Sequence, residues 1–161
     1  MAVGDYVCVP AAGSTVTSTT SATAWAAPAG WSIIGTPADT YIGIVAVEIT
    51  PRYIPAVNTT IEGLLEVAVG TFGAEVLEIQ IPFSYRSNTA VGYYMTDPVM
   101  FYLPEPLYAD MSGGQSIYSK AYNSVNVANT YDVRLYYVVQ AAPVAAFSPV
   151  DTFGMMGMFG I

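Results

Sequence analysis

A chain of 161 residues is long enough for one domain with a sizeable core, and 53% of this one is hydrophobic. Only 10% of its residues are charged, far below the roughly 25% of an average globular domain, so we expect other protein to cover much of its surface. A net charge of −8 and only four scattered basic residues argue against binding to nucleic acid or to an anionic membrane. The sequence has no histidine, so it lacks the usual general base and the commonest zinc ligand.

The chain shows no targeting or membrane-spanning pattern. Its first residues, MAVGDYVCVP, include an acid and lack the basic region and long apolar run of a signal peptide. The segment after Asp151 is about half as long as the ~20 residues that a transmembrane helix needs. The single Cys8 cannot form an internal disulfide. The sequence predicts a protein that is soluble, or soluble until it assembles.

Residues 1–24 form a low-complexity segment that includes AAGSTVTSTTSATA, which is small and polar with neither a helical nor a strand period. Two interpretations stay open for it: a disordered N-terminus, and an extended arm that becomes ordered against a neighbouring subunit. From Trp25 to Ala141, short β-rich runs alternate with turn signals, which predicts one β domain.

The first half of this domain contains three predicted strands. WSIIG is predicted as a strand that ends at Gly35. TYIGIVAVEIT is apolar on both faces until Glu48, which is typical of a central strand. In IEGLLEVAVG, aliphatic residues lie on one face of the strand and Glu62 and Glu66 lie on the other. The aliphatic residues are Ile61, Leu65, Val67 and Val69. We prefer a strand to a short helix for this segment because Gly63 interrupts the helical alternative.

The second half continues the pattern. In AEVLEIQIPF the two acids Glu75 and Glu78 differ in parity, which predicts a bulge near Val76–Leu77. YLPEPLY is expected at a strand end, because Pro104 and Pro106 cannot donate ladder hydrogen bonds. YDVRLYYVVQ alternates like a half-buried strand, with Val133, Leu135, Tyr137 and Val139 on the inner face. Seven or eight such strands without helical crossovers predict an all-β antiparallel sandwich or barrel.

The tyrosines, thirteen in all, are the strongest candidates for a binding surface. On SIYSKAYN, Tyr118, Lys120 and Tyr122 share one face, opposite Ile117, Ser119 and Ala121. Tyrosine suits core edges, protein interfaces and sugar platforms. We prefer a subunit interface at Tyr118 and Tyr122, with ordinary core and rim or a carbohydrate platform as the alternatives.

The sequence offers little material for catalysis. Its acid/base candidates are three carboxylate pairs: Glu62 with Glu66, Glu75 with Glu78, and Glu105 with Asp110. Without histidine a Ser-His-Asp triad is impossible. GTFGAE lacks the lysine and the following helix of a phosphate loop, and ADMSGGQS has too few carboxylates for a calcium loop. We predict a non-enzyme with no cofactor and no bound metal, and leave open a structural cation at a symmetry axis.

The C-terminal residues 142–161 end in DTFGMMGMFGI. Three glycines make a poor strand, and Pro143 and Pro149 in the preceding APVAAFSPV favour an extended chain leading away from the domain. Methionine fits irregular grooves and phenylalanine supplies buried area. We predict an arm that docks on a neighbouring subunit or another protein, through Phe153, Met155, Met156, Met158, Phe159 and Ile161.

The order of strand and turn phrases over about residues 22–141 is similar to that of a known group of proteins. It runs ATAWAAPAGWSIIGTPADTYIGIVAVEI, LEVAVGTFGAEVLEIQIPF, VMFYLPEPLYADMSGGQSIYSKAYN and DVRLYYVVQ. This resembles the jelly-roll structural proteins of tailed-phage virions, in particular the decoration (cement) proteins of the capsid exterior. The resemblance rests on the order of these phrases and on no catalytic signature.

The resemblance implies a β-sandwich of the jelly-roll type, with about eight strands and extended N- and C-terminal arms. It implies a homotrimer that binds the major capsid protein on the outside of the virion and resides in the host cytoplasm before assembly. A carbohydrate-binding jelly roll and another minor head or tail component are the alternatives.

Overall fold

The computed structural model describes residues 1–11, 14–53, 60–86 and 98–142 of the chain. These residues form nine strands and no helix. The strands are β1 (Tyr6–Val9), β2 (Val16–Thr19), β3 (Ser32–Gly35), β4 (Tyr41–Tyr53), β5 (Thr60–Thr71), β6 (Ala74–Arg86), β7 (Val99–Asp110), β8 (Ser116–Asn123) and β9 (Thr130–Val139).

The strands pair into two antiparallel sheets. Sheet A has the order β1-β9-β4-β7, with β2 also paired to β9, and sheet B has the order β3-β8-β5-β6. If β1 and β2 are counted as one interrupted strand, the sheets have the orders 1-8-3-6 and 2-7-4-5, which is the connectivity of a jelly roll. The prediction of an antiparallel β-sandwich of about eight strands is therefore confirmed.

The core lies between the two sheets and follows the predicted alternation. On β9 the inward side chains Val133, Leu135, Tyr137 and Val139 are all buried, and on β5 Ile61, Leu65, Val67 and Val69 are buried while Glu62 is exposed. Strand β4 has β9 on one side and β7 on the other, as expected for a central strand. Each inner face thus contributes every second residue to one apolar layer.

Residues 1–24 differ from the prediction, because two strands of the sandwich lie within them. Strand β1 pairs with residues 135–138 of β9, and β2 pairs with residues 130–133. The inward Ser18 of β2 is buried, and its hydroxyl is 2.7 Å from that of Ser119 on the opposite sheet. Hydroxyls replace apolar side chains at this contact, so the segment shows no hydrophobic period although it belongs to the sheet.

The YLPEPLY segment also differs from its prediction as a strand end. It lies inside β7, where Leu107 pairs with Ile44 and Tyr102 pairs with Ala46, so residues 103–106 stand opposite Val45 alone. Strand β7 is an edge strand, and at an edge a bulge tolerates prolines that cannot donate.

The bulge expected in β6 is present. Ile79 pairs with Val67 and Leu77 pairs with Ala68, which leaves Glu78 as the extra residue. It lies one position beyond the predicted Val76–Leu77, and it accounts for the different parity of the two acids in this strand.

The two ends of the sandwich carry different connections. The β5–β6 turn at residues 71–74, the connection at 111–115 and the exit of the chain after Val139 lie at one end, which we call the hairpin end. Residues 20–31 and 124–129 lie at the opposite end.

Gly63 in β5 provides a test of this packing. A Cβ at this position would lie 2.3 Å from Cζ of Phe83, whose ring packs edge-on against Tyr131 with centroids 5.2 Å apart. We predict that Gly63→Ala lowers the free energy of unfolding by roughly 1–3 kcal/mol, the usual cost of overpacking a core, in urea denaturation. Gly30→Ala is the matched control, because no heavy atom lies within 4 Å of its Cβ. Equal unfolding midpoints for the two variants would contradict the prediction.

Candidate functional site

The outer face of sheet B holds the tyrosines that the sequence singled out. On β8, Tyr118, Lys120 and Tyr122 point away from the core, whereas Ile117 and Ala121 are fully buried in it, as the alternation predicted. Tyr118 pairs with Ile33 of β3 and Ala68 of β5 and is only 2% exposed. It therefore offers almost no accessible surface to a partner, which corrects its prediction as an interface residue, and Tyr122 remains as a half-buried surface group.

Tyr122 belongs to a hydrogen-bonded row that crosses three strands of sheet B. Its hydroxyl donates to Oε2 of Glu66 on β5 at 2.8 Å, and the side-chain amide of Gln80 on β6 donates to Oε1 of the same carboxylate at 3.0 Å. Burial, followed by the hydrogen bond to Glu66, raises the pKa of Tyr122 to about 12. The phenol therefore stays protonated at neutral pH and acts as a hydrogen-bond donor.

A cation–π contact extends this row toward β3. Nζ of Lys120 lies 4.6 Å from the ring centroid of Trp31, which immediately precedes β3. Lys120 also stands directly opposite Glu66 in the β5–β8 register. The five side chains Trp31, Lys120, Tyr122, Glu66 and Gln80 form a flat polar and aromatic surface, which we call the Tyr122 cluster.

Three of the candidate carboxylates accept hydrogen bonds from neighbouring groups in the described part of the chain. Glu66 accepts two hydrogen bonds within the Tyr122 cluster, and Glu75 accepts one from the backbone N–H of Gly73 at 2.9 Å. Asp110 accepts from the backbone N–H of Ser112 at 2.8 Å, and its hydrogen bonds with Ser112 lower the pKa of its carboxyl. Over the described ranges, three or more His, Cys, Asp or Glu side chains nowhere come together in a way that could hold a metal ion.

The outer face of sheet A carries a second set of aromatic side chains. Tyr6 on β1 is 78% exposed and Tyr102 on β7 is 77% exposed, and both point away from the core that their sequence neighbours contact. Tyr108, further along β7, is partly exposed and stacks on Tyr41 with ring centroids 5.9 Å apart. The sequence did not assign Tyr6, Tyr102 and Tyr108 to one face. Tyr6 lies in the predicted N-terminal arm, and Tyr102 and Tyr108 lie in the segment that was predicted as a strand end.

Two buried carboxylates support this outer face. Glu48 accepts from the hydroxyl of Tyr136 at 2.7 Å and from Nη1 of Arg134 at 3.5 Å, and it is only 8% exposed. Asp132 is likewise buried and pairs with Arg52. The hydrogen bond to Glu48, together with burial, raises the pKa of Tyr136 to about 12. These acids hold neighbouring strands together and are not exposed to a substrate.

The hairpin end carries the most exposed large apolar side chain of the described residues. Phe72, in the β5–β6 turn, is 84% exposed, and Val76 nearby on β6 is 62% exposed. A pocket of about 350 Å³ opens beside them and is lined by Val69, Ala74, Val76 and Tyr108, among others. The sequence predicted the turn as a tight link and gave no signal that it borders a pocket.

The six interface residues predicted in the C-terminal arm lie outside the described residues. They are Phe153, Met155, Met156, Met158, Phe159 and Ile161. Their docking stays a prediction.

The comparisons with known proteins return no relative. No protein-family model, no curated protein and no solved structure matches the chain. A search of the described residues for a helix long and apolar enough to cross a membrane also finds none.

The raised tyrosine pKa values predict a loss of stability in alkali. Tyr122, Tyr136 and Tyr137 each have a pKa of about 12 in the folded chain, whereas a tyrosine in an unfolded chain has one of about 10. Since the folded values are higher, the contribution of these groups is fully present below about pH 10 and is lost as the pH rises through about 12. We predict that the free energy of unfolding falls across this range.

Urea denaturation at several pH values between 9 and 12 (about the range set by these pKa values) measures this dependence. The double change Tyr136→Phe and Tyr137→Phe should reduce it, because two of the three phenols with a raised pKa are then absent. Tyr102→Phe removes a phenol from the exposed surface and should leave the slope as it is. If the free energy of unfolding depends on pH equally in the unchanged protein, the double variant and Tyr102→Phe, then Tyr136 and Tyr137 do not cause the loss of stability.

Proposed function

We propose that this chain is a non-enzymatic virion structural protein that binds the exterior of a phage capsid and stabilises the shell. It acts through contacts with the major capsid protein and with other copies of itself, as a homotrimer. The observation that carries this proposal is the surface of the jelly-roll sandwich. Several large aromatic or apolar side chains are exposed on it, among them Tyr6, Tyr102, Phe72 and Val76.

The arrangement of the acids supports a structural role. Asp39, Glu48 and Asp132 are all buried, and each accepts hydrogen bonds from groups of other strands or from the N-terminus. A general acid or base needs access to substrate and a proton that it can exchange. Here the carboxylates are committed to holding strands in place.

The mechanism of stabilisation is mass action. A protein that binds an assembled shell and not its separated subunits stabilises the shell by its binding free energy. Exposed tyrosines suit this role, because each supplies apolar area and a polar hydroxyl and loses little conformational entropy when bound. Low surface charge reduces the number of ionic groups that must lose water when the interface forms.

Capsids heated with and without the protein test this proposal. We predict that capsids that carry the protein survive a higher temperature or a stronger osmotic shock than bare capsids, as measured by release of packaged DNA. Deleting residues 152–161 should leave the sandwich folded and reduce both capsid binding and protection. Gly30→Ala is the control, because no heavy atom lies within 4 Å of its Cβ and the change removes no side chain from the surface. Equal survival of bare and decorated capsids would refute the proposal.

A carbohydrate-binding role is the second candidate, and the Tyr122 cluster favours it. Aromatic rings that lie beside a carboxylate and an amide on a flat sheet can stack on sugar rings and hydrogen-bond to their hydroxyl groups. Trp31, Tyr122, Glu66 and Gln80 supply these groups. Under this alternative the protein would recognise a glycan on a cell surface.

A glycan array separates the two candidates. If the Tyr122 cluster binds carbohydrate, the full-length protein should bind a defined set of glycans, and Trp31→Ala should reduce that binding at least about tenfold through loss of a stacking ring. Tyr102→Ala, on the outer face of the other sheet, should retain it. An array without hits would eliminate the carbohydrate role and leave the capsid proposal untouched.

A further inference from the structure

The pocket at the hairpin end is shaped by both sheets. Val69 and Ala74, from the β5–β6 hairpin of sheet B, line it from one sheet, and Tyr108 on β7 of sheet A lines it from the other. Thr71, Asp110 and Gln115 make part of the lining polar. Its volume is about 350 Å³, whereas an apolar cavity of about 150 Å³ holds a benzene molecule. The pocket therefore has room for side chains of the size of phenylalanine or methionine.

The walls of this pocket are held in place before any partner binds. Gly73 has a φ of +84°, which a glycine adopts without strain, and its N–H donates to Oε1 of Glu75 at 2.9 Å. Tyr108 is fixed by its stack on Tyr41, and Asp110 accepts the backbone N–H of Ser112. A preformed pocket reduces the entropy cost of binding.

The chain leaves the sandwich at this same end. The backbone N–H of Gln140, just after β9, donates to the carbonyl of Tyr41 at 2.9 Å at the start of β4. In sheet A, β4 separates β9 from β7. Strands in a sheet are about 4.8 Å apart, so the exit point lies only ~10 Å from the pocket on the same copy.

The composition of the sequence that follows favours a more distant pocket. Residues 143–152 contain Pro143 and Pro149, and proline-rich chain favours the polyproline conformation, which rises about 3.1 Å per residue, or ~30 Å over this segment. It would carry the apolar residues after Thr152 well beyond the pocket of their own copy. A neighbouring copy at that distance is the better match.

We propose that the C-terminal segment 152–161 of one copy inserts its phenylalanine and methionine side chains into the hairpin-end pocket of a second copy. This inference deepens the proposed function and rests on it for the homotrimer. The donor segment and the receiving pocket are different surfaces, so the contact is head-to-tail, and such a contact forms a closed ring when its rotation closes. Three copies joined in this way give the trimer.

Photo-crosslinking of the full chain tests the contact without a capsid. Phe72→benzoylphenylalanine places a reactive group at the rim of the pocket, and an equal mixture of ¹⁴N- and ¹⁵N-labelled protein distinguishes contacts between copies from contacts within one copy. After irradiation, we expect mass spectrometry to find adducts between position 72 of one isotope and residues 152–161 of the other. Tyr102→benzoylphenylalanine, near the opposite end of β7, is the control and should give no adduct to that segment.

A substitution in the lining of the pocket tests whether the pocket is needed for association of copies. Val76→Asp adds a charge beside the pocket, and we expect it to lower the mass in solution from that of a trimer toward that of a monomer. Val99→Asp makes the same change on an exposed valine at the far end of β7 and should leave the mass unchanged. Adducts within one copy, adducts to any other segment, or equal masses for the two variants would overturn the inference. A failure of capsid binding with these contacts intact would instead count against the proposed function alone.

Discussion

The fold depends on the pairing of β9, which joins most of sheet A. Strand β9 pairs with β1 and β2 on one edge and with β4 on the other, and its inner face adds five buried side chains to the core. Its outer face contributes Asp132, Arg134 and Tyr136 to the polar pairs that link it to neighbouring strands. The N-terminal residues have no other sheet to join, so the jelly-roll connectivity closes only when this late strand is in place. Such non-local pairing is typical of β-sandwiches and makes their folding slow.

The sequence predicted the central strands well because their alternation is strong. In β5 and β9, aliphatic and aromatic residues recur with a period of two on the inner face, and β4 is a run that is apolar on both faces; both signals can be read without tertiary knowledge. The prediction failed for β2, where Ser18 is buried through a hydroxyl contact with Ser119, and for β7, where a bulge accommodates Pro104 and Pro106 inside the strand. The Tyr122 cluster was partly predictable, since parity placed Tyr122 outward, but pairing Glu66 with Gln80 requires the β5–β6 register. The burial of Tyr118 beside Ile33 could not be predicted, because it depends on the pairing of β3 with β8.

Several of the charged residues that the structure describes link strands of the sandwich. Asp39 joins the N-terminus and the hydroxyl of Tyr137, and Glu48 joins Tyr136 and Arg134. Carboxylates that accept several hydrogen bonds orient the strands that donate them, and removing one partner would leave a buried charge uncompensated. The exposed surface also presents tyrosines and apolar side chains, among them Tyr6, Tyr102 and Phe72. A surface of this kind is poor for a freely diffusing monomer and suitable for one that spends its functional life in contact with protein.

The edges of both sheets favour association through faces and ends over the addition of strands. An unprotected edge strand pairs readily with another chain, and natural β proteins prevent this with prolines, bulges and short strands. On one edge of sheet A, Pro10 directly follows β1, and β1 and β2 have four residues each. On one edge of sheet B, β3 has only four residues and a register shift at Ile34. On the other side, β6 carries the Glu78 bulge and Pro82, and β7 carries the bulge at residues 103–106. With each of these edges shortened or interrupted, another chain has little backbone to pair with. Under the proposed function, exposed tyrosines and the hairpin-end pocket are therefore the surfaces that suit contact with another protein.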